Sequence, residues 1–193
     1  MNTTTLIKHF TKGETENARN SFNDLKEQMA LQGILTPIST TSSEQLHQVR
    51  SILEMGAIIS IHSNDSAEFE QITRLLHAHY FEISATSPSD EMTSILGLMM
   101  LHYLCENRFS EFHALLELCR VRGLLEDQYI KHAIDVERNL TEGSYGCFMT
   151  ARNNVPKAEY SFFMDLMVER IRKNIAEAIT EAYESLSIAK ASK

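Results

Sequence analysis

Apolar residues recur at the spacing of an α-helix along almost the whole chain, and this pattern limits the fold more than any other feature. It appears first in Ala18, Phe22, Leu25 and Met29, at i, i+4, i+7 and i+11. Such spacing places apolar side chains on one face of a helix. Only seven glycines and three prolines occur among the 193 residues, too few for the turns of an all-β protein. The sequence therefore predicts an all-α fold.

Boundary signals divide the pattern into eight predicted helices. Candidate N-terminal signals are the capping box Thr41–Glu44, Asp65, and the run Ser87–Asp90 with proline at the first helical position. Candidate C-terminal signals are glycines placed where a left-handed residue ends a helix: Gly33, Gly123 and Gly143. The predicted connections between these helices are short, and short connections favour antiparallel packing of neighbouring helices.

The last predicted helix is the longest, from about Lys157 to Ser187. Its predicted apolar stripe consists of Phe163, Leu166, Met167, Ile171, Ile175, Ala178, Ile179, Ala182 and Leu186. Helix pairs recur about every 40 residues, a period typical of helical solenoids. Because no strict tetratricopeptide consensus is present, we expect a degenerate, right-handed solenoid. Apolar residues on a second face of the second helix (Ile52, Met55 and Ile59) favour a middle layer buried on both sides.

Charge and cysteine content restrict the classes of partner and compartment. A net charge of −8 argues against non-specific binding to nucleic acid or to an anionic membrane surface. No apolar run approaches the length of a transmembrane helix, and residues 1–5 do not resemble a signal peptide. Three separated cysteines, Cys105, Cys119 and Cys147, suggest reduced, mostly buried thiols in a cytosolic or nuclear protein.

Motifs that carry catalytic chemistry are weak. The stretch Gly143–Gly146 superficially resembles a nucleophile elbow, but Ser144 lacks the G-x-S-x-G spacing. His102 with Cys105, and His113 with Cys119, offer a zinc site only at poor ligand spacing. We therefore predict no catalytic residue, no cofactor and no metal. A hydrolase using Ser144, or a metalloenzyme using the His and Cys residues, is the alternative from a different class.

Two side-chain groups remain ambiguous from sequence alone. Glutamates on the last helix (Glu169, Glu177, Glu181 and Glu184) form either a solvated face or an acidic strip for a basic partner. The methionines Met99, Met100, Met164 and Met167 are expected to be adaptable core residues.

Local segments add a resemblance that periodicity cannot supply. They are Ile52–Ala57, Asn107–His113, Tyr129–His132, Glu142–Tyr145 and, most strongly, Tyr160–Asp165 continuing to Ile175–Ala176 and Glu181–Tyr183. In these the chain resembles the PCI family of 26S proteasome regulatory-particle lid subunits, and within it the smallest member. The resemblance runs in register from about Ser43 to Ser187.

The resemblance implies a helical-repeat part followed by a winged-helix module, and we expect that module to be absent from this chain. The expected divisions are an N-terminal helix and linker (1–42), a helical-repeat domain (43–156) and a long helix leading toward the winged helix (157–193). It also implies a non-catalytic scaffold in the cytoplasm and nucleus, supporting regulatory-particle assembly and ubiquitin-dependent degradation. Expected partners are other lid subunits, especially a neighbouring PCI subunit, with base subunits and a ubiquitin receptor as further candidates. The alternative is an assembly subunit of translation initiation factor 3, similar to its subunit k.

Polar and aromatic residues near the matched turns are the best candidates for protein contacts, because turns on a rigid scaffold often carry binding residues. The predicted interaction residues are Lys131, Glu142, Ser144, Tyr145, Asn154 and Tyr160. Tyr145 and Tyr160 could equally pack the helix junction.

Overall fold

The computed structural model describes residues 15–31, 33, 35, 43–81 and 91–184. In these residues the chain forms eight α-helices and no strands, which confirms the predicted all-α class. The helices are α1 (Thr15–Leu31), α2 (Ser43–His62), α3 (Ser66–Phe81), α4 (Met92–Cys105), α5 (Phe109–Val121), α6 (Gln128–Thr141), α7 (Tyr145–Asn153) and α8 (Tyr160–Ala182). The right-handed solenoid and the domain divisions stay predictions.

Several of the described helix ends follow the local signals in the sequence. The Asp65 side chain accepts a hydrogen bond from the Glu68 amide at 3.0 Å, which confirms it as the N-cap of α3. Gly33, Gly123 and Gly143 have φ values of +65°, +71° and +67°, the left-handed conformation that glycine adopts at little cost. Thr41 of the predicted capping box and the run 87–90 lie outside the described residues.

Helix α4 is the centre of the molecule. All of its residues except Thr93 and Tyr103 are buried, and it contacts α2, α3, α5, α6 and α8. A helix apolar on every side is stable in water only when other helices cover it all round. The predicted doubly buried layer is therefore most complete in α4, while Ile52 and Ile59 of α2 are buried as well.

The last helix differs from the prediction in three ways. It begins at Tyr160 rather than Lys157, because residues 157–159 form a turn in which the Tyr160 amide donates to the Lys157 carbonyl at 3.1 Å. Leu166 was predicted in the apolar stripe but is 43% exposed. At about 100° per residue, Leu166 points roughly 140° away from Ile171. The helix ends at Ala182 rather than at Ser187, because the backbone of Tyr183 is extended (φ −129°, ψ 124°).

Ion pairs connect the helices at the molecular surface. Arg19 of α1 pairs with Asp65 and Glu68 at the start of α3. Arg108, at the start of α5, pairs with Glu70 of α3, and its guanidinium lies 5.1 Å from the Tyr103 ring centroid. Hydrogen bonds from Arg74 and Arg108 lower the pKa of Glu70 to about 2. These pairs fix the positions of neighbouring helices more than they add stability, since exposed ion pairs contribute little.

Candidate interaction surface

The turn between α6 and α7 holds three of the predicted interaction residues. Glu142 ends α6, and its amide donates to the Arg138 carbonyl at 2.9 Å. Gly143 is left-handed, and the Ser144 amide donates to the Asn139 carbonyl at 2.9 Å. Tyr145 then starts α7 with 41% of its surface exposed. The backbone bonds hold this turn in one conformation, and Glu142 and Tyr145 project into solvent.

Lys131 and Asn154 lie away from that turn. Lys131 is in the first turn of α6 and pairs with Glu126 at 2.6 Å. About eleven residues of helix separate it from Glu142, or roughly 16 Å at 1.5 Å per residue. Asn154 ends α7 and is exposed. Lys131 and Asn154 therefore do not share the surface formed by the residues of the α6–α7 turn.

Tyr160 has no exposed surface and is unavailable to a partner in this structure. Its hydroxyl donates to the Ser94 carbonyl at 2.7 Å, and its ring stacks on Tyr129 with centroids 5.9 Å apart. Burial raises the pKa of Tyr160 well above the usual tyrosine value. These contacts support the packing role that the sequence left open, because the hydroxyl bond anchors the start of α8 to α4.

An ion pair lies beside this junction. Lys157 pairs with Glu91 and lies 5.6 Å from the Tyr129 ring centroid. Burial lowers the pKa of Lys157, but the hydrogen bond and negative charge of Glu91 outweigh it and raise the pKa overall. The opposite charges of Lys157 and Glu91 compensate each other. The presence of these charges at the junction is therefore explained without a bound ligand.

Among the residues considered for catalysis, His102 is packed in the core, whereas Ser144 and His113 lie nearer the surface. Ser144 precedes α7, and its hydroxyl makes no capping hydrogen bond. His102 is buried with its ring centroid 5.7 Å from those of both Phe69 and Phe163, and burial lowers its pKa. His113 is mostly exposed and lies 3.9 Å from Glu137. Among the residues that the structure describes, no group of three or more His, Cys, Asp or Glu side chains could hold a metal ion.

All three cysteines are free thiols. Cys105 and Cys119 are buried as predicted, whereas Cys147 is exposed. Burial raises the pKa of Cys105 to about 12 and that of Cys119 to about 11. Both thiols are therefore protonated at neutral pH and are poor nucleophiles.

Sequence reasoning missed the exposed apolar side chains that surround the α6–α7 turn. Phe109 is 36% exposed and Met149 is 39% exposed. Phe109, Tyr145 and Ile171 line one cavity of about 140 Å³. Tyr145, Met149 and Ile175 line a second cavity of about 150 Å³. Helical-wheel geometry could have identified Leu166 as an exposed residue. Whether Phe109, Tyr145 and Met149 stay exposed depends instead on contacts between helices that are distant in the sequence.

A larger open cleft of about 600 Å³ runs along the other side of α8. Its polar rim consists of Arg152 paired with Asp165 at 2.7 Å and Arg172 paired with Glu169 at 3.1 Å. The charges of this rim are therefore already neutralised. Within residues 15–31, 43–81 and 91–184, no helix combines the length and apolar character needed to cross a membrane.

Comparison with known proteins gives consistent matches. The chain is 36% identical over 154 residues to 26S proteasome non-ATPase regulatory subunit 8 homolog A of Arabidopsis thaliana, covering 79% of this chain and 57% of that protein. It is 29% identical over 168 residues to 26S proteasome regulatory subunit rpn12 of Schizosaccharomyces pombe, covering 86% and 61%. The 26S proteasome non-ATPase regulatory subunit 8 of Caenorhabditis elegans is 27% identical, with 72% and 54% covered.

The chain thus spans less than two thirds of the length of each of these relatives. Residues 90–193 match the CSN8/PSMD8/EIF3K family. The matched segment includes α4, the buried centre, and α8, which packs on it. Because this match covers more than half of the sequence, the chain belongs to the CSN8/PSMD8/EIF3K family.

Proposed function

We propose that this chain is a scaffold subunit of the 26S proteasome lid that supports regulatory-particle assembly and ubiquitin-dependent degradation through protein contacts. The observation that carries the proposal is the consistent naming of its relatives. The matches in Arabidopsis, fission yeast and nematode are all 26S proteasome regulatory subunits, and each covers more than 70% of this chain.

A non-catalytic role is part of the same proposal. Relatives named as regulatory subunits favour it, and so does the chemistry of the candidate residues. The thiol of Cys105 is protonated and buried, and Ser144 lies at a helix start rather than at a strand-to-helix elbow. A catalytic serine needs a base within hydrogen-bond reach. Unchanged incorporation and unchanged proteasome function after Ser144→Ala would support the non-catalytic proposal.

The partners within this proposal are other lid subunits, first among them a neighbouring PCI subunit, with base subunits and a ubiquitin receptor as further candidates. Lys131 and Glu142 are the polar contacts that we propose, because both are exposed on helix ends held by backbone hydrogen bonds. Charge reversal at either position should leave folding intact and weaken incorporation. Normal incorporation of both Lys131→Glu and Glu142→Lys would assign the contact to another surface.

Affinity purification tests the assembly directly. The chain, tagged and expressed in cells, should recover lid and base subunits in stoichiometric amounts by quantitative mass spectrometry. A matched control is the tagged chain carrying Ile130→Asp, which places a charge at a fully buried position and should abolish folding and recovery together. Recovery of initiation-factor subunits instead would transfer the chain to the second candidate function.

That second candidate, a subunit similar to subunit k of translation initiation factor 3, is retained because the family description includes it. The relatives described above, which are all proteasome subunits, favour the lid.

The proposed location is the cytoplasm and nucleus, where proteasomes act. Fluorescence imaging of the tagged chain should show both compartments, and exclusive cytoplasmic signal would favour the translation candidate.

A further inference from the structure

A small cavity lies where the ends of four helices meet the middle of α8. Its apolar and aromatic lining comes from all five helices: Leu104 of α4, Phe109 of α5, Leu140 of α6, Tyr145 of α7, and Met167 and Ile171 of α8. The cavity volume is about 140 Å³, close to that of a protein cavity that accommodates one benzene molecule. The cavity therefore has the size of a single apolar side chain.

The remaining lining residues are polar and include no carboxylate. They are Asn107, which follows α4, and Arg170 and Asn174 of α8, and all three are exposed. Arg170 is the only charged residue among the described residues that line the space, which we call the Arg170 cavity. The amide groups of Asn107 and Asn174 can donate hydrogen bonds to the oxygens of an anion. The polar rim of the Arg170 cavity is thus positively charged.

One bond holds Arg170 in place and leaves most of its donors free. Its Nη1 donates to the Cys105 carbonyl at the end of α4, and a guanidinium carries five N–H groups. No described carboxylate forms an ion pair with Arg170, including that of the exposed Glu106 beside Cys105. Arg152 and Arg172, which border the cleft on the other side of α8, are both paired. Arg170 is therefore a fixed cation whose charge no neighbouring acid compensates.

The charges near the Arg170 cavity favour one kind of carboxylate. A planar guanidinium binds a carboxylate through two parallel hydrogen bonds. Glu106 lies between the lining residues Leu104 and Asn107, and Glu177 lies two helical turns beyond Arg170 on the same side of α8. A partner segment with several acidic residues would be repelled by these two glutamates. The surroundings therefore favour a partner that brings a single negative charge.

A C-terminal residue meets both requirements of the Arg170 cavity. It carries its side chain and its terminal carboxylate on the same Cα atom, so an apolar group and one negative charge arrive together. An aspartate or glutamate inside a chain has no apolar side chain of its own beside its carboxylate. Capture of a terminal carboxylate is also a recurring mode of peptide recognition.

We propose that the Arg170 cavity binds the C-terminal residue of another protein, with its apolar side chain inside the cavity and its carboxylate on Arg170. Asn107 and Asn174 donate to the same carboxylate or to the preceding carbonyl. This site goes beyond the proposed lid function and holds whichever assembly the chain joins.

Three fluorescein-labelled peptides of roughly eight residues test the proposal. The first ends in leucine with a free carboxylate, and the second ends in the same leucine as an amide. The third is the amide peptide with a glutamate in place of the residue before the leucine. Fluorescence anisotropy with the 193-residue chain should show about tenfold tighter binding of the free carboxylate than of either amide.

Variants of the chain locate the carboxylate. Arg170→Gln should remove the advantage of the free carboxylate over the amide. Asn174→Asp should also remove it while Arg170 stays in place, because helical spacing lets an aspartate four residues after Arg170 pair with it. Arg172→Gln is the matched control and should keep the advantage, since Arg172 pairs with Glu169 on the other side of α8. Circular dichroism should show the same helix content for all three variants.

Several results would overturn the proposal. Equal affinity of the free-carboxylate and amide peptides, or no binding of the free-carboxylate peptide, would show that the cavity does not read a terminal carboxylate. Binding of the glutamate peptide as tight as that of the free carboxylate would assign the contact to an acidic side chain.

An advantage that survives both Arg170→Gln and Asn174→Asp would show that the carboxylate does not meet Arg170. A loss in Arg172→Gln as large as in Arg170→Gln would place the carboxylate outside the cavity. Each of these outcomes leaves proteasome co-purification unchanged, so the two hypotheses are tested separately.

Discussion

At the scale of single residues, close packing around α4 leaves no room for added atoms. A Cβ on Gly97 would lie 2.2 Å from the Tyr160 hydroxyl oxygen and 3.0 Å from the Tyr129 carbonyl oxygen. The hydroxyl cannot move away without losing its bond to Ser94. The absence of a side chain at residue 97 is thus a condition for docking the start of α8.

We therefore expect Gly97→Ala to lower the free energy of unfolding by about 1–3 kcal/mol, as overpacking does in other cores. Gly146→Ala is the matched control, since a Cβ there meets nothing within 4 Å and alanine favours the helix. Urea denaturation of the two variants measures the difference. Equal stability of both variants would contradict the packing of Tyr160 against residue 97.

Two histidines make the fold sensitive to mild acid. Burial lowers the pKa of His102 and of His132, in both cases as the largest effect. The folded state thus favours their neutral forms, while the unfolded chain binds protons near pH 6.5. The stability that these two histidines contribute is therefore fully present above about pH 6.5. It is lost as the pH falls from there toward the pKa values of the histidines in the folded state.

Thermal unfolding at pH 7.5 and pH 5.5 should therefore show a lower melting temperature at the acidic value. His102→Leu should reduce this difference, because only His132 then remains of the two. His113→Gln is the control, with a side chain 57% exposed, and should retain the wild-type difference. A pH response unchanged by His102→Leu would show that the burial of His102 does not govern it.

At the scale of elements, the N-cap of α3 combines two interactions in one side chain. Asp65 accepts the Glu68 amide bond and also pairs with Arg19 of α1. The backbone hydrogen bond is the first cause of its lowered pKa, ahead of Arg19. An asparagine at residue 65 would keep the capping hydrogen bond but would remove the negative charge that pairs with Arg19.

Asp65→Ala should destabilise the protein by about 1–2 kcal/mol through loss of the cap. Asp65→Asn should cost less than about 1 kcal/mol, since an exposed ion pair contributes little. Chemical denaturation separates the two. Equal losses in both variants would place the stabilisation in the Arg19 pair rather than in the cap.

The two halves of α8 should respond differently to truncation. Met167 is 2% exposed and packs in the core, so Met167→Ala should cost about 2–5 kcal/mol. Ile179 is half-buried in the second half of α8, where no residue from Glu169 onward is fully buried, so Ile179→Ala should cost less than about 1 kcal/mol. A large loss for Ile179→Ala would mean that the second half of α8 is buried within the chain itself.

Periodicity predicted the elements well because each helix carries its own pattern. The α3 cap and the left-handed glycines followed from local chemistry. The contacts between distant helices could not be predicted, because burial of Tyr160 depends on where α8 meets α4. The same limit applies to Phe109 and Tyr145, whose exposure depends on what α5, α7 and α8 leave uncovered. Residue type alone made Tyr160 and Tyr145 equivalent candidates, and tertiary packing separates them.

At the scale of the whole molecule, the core is continuous, and exposed apolar residues such as Tyr145 and Met149 of α7 lie at its margin. One cluster of buried residues extends from Ala18 to Val168. Such a core holds the exposed surfaces in fixed relative positions, which is what a scaffold requires. The function that we propose depends on these surfaces rather than on an enclosed site.

Co-sedimentation with 26S particles is the most direct test of the proposed lid function. A glycerol gradient of lysate from cells expressing the tagged chain separates free protein from assembled proteasomes. We predict that the tagged chain peaks with the lid subunits and with the peptidase activity of the 26S particle. A peak confined to free protein, or one that coincides with initiation factor 3 and not with the proteasome, would contradict the assignment to the lid.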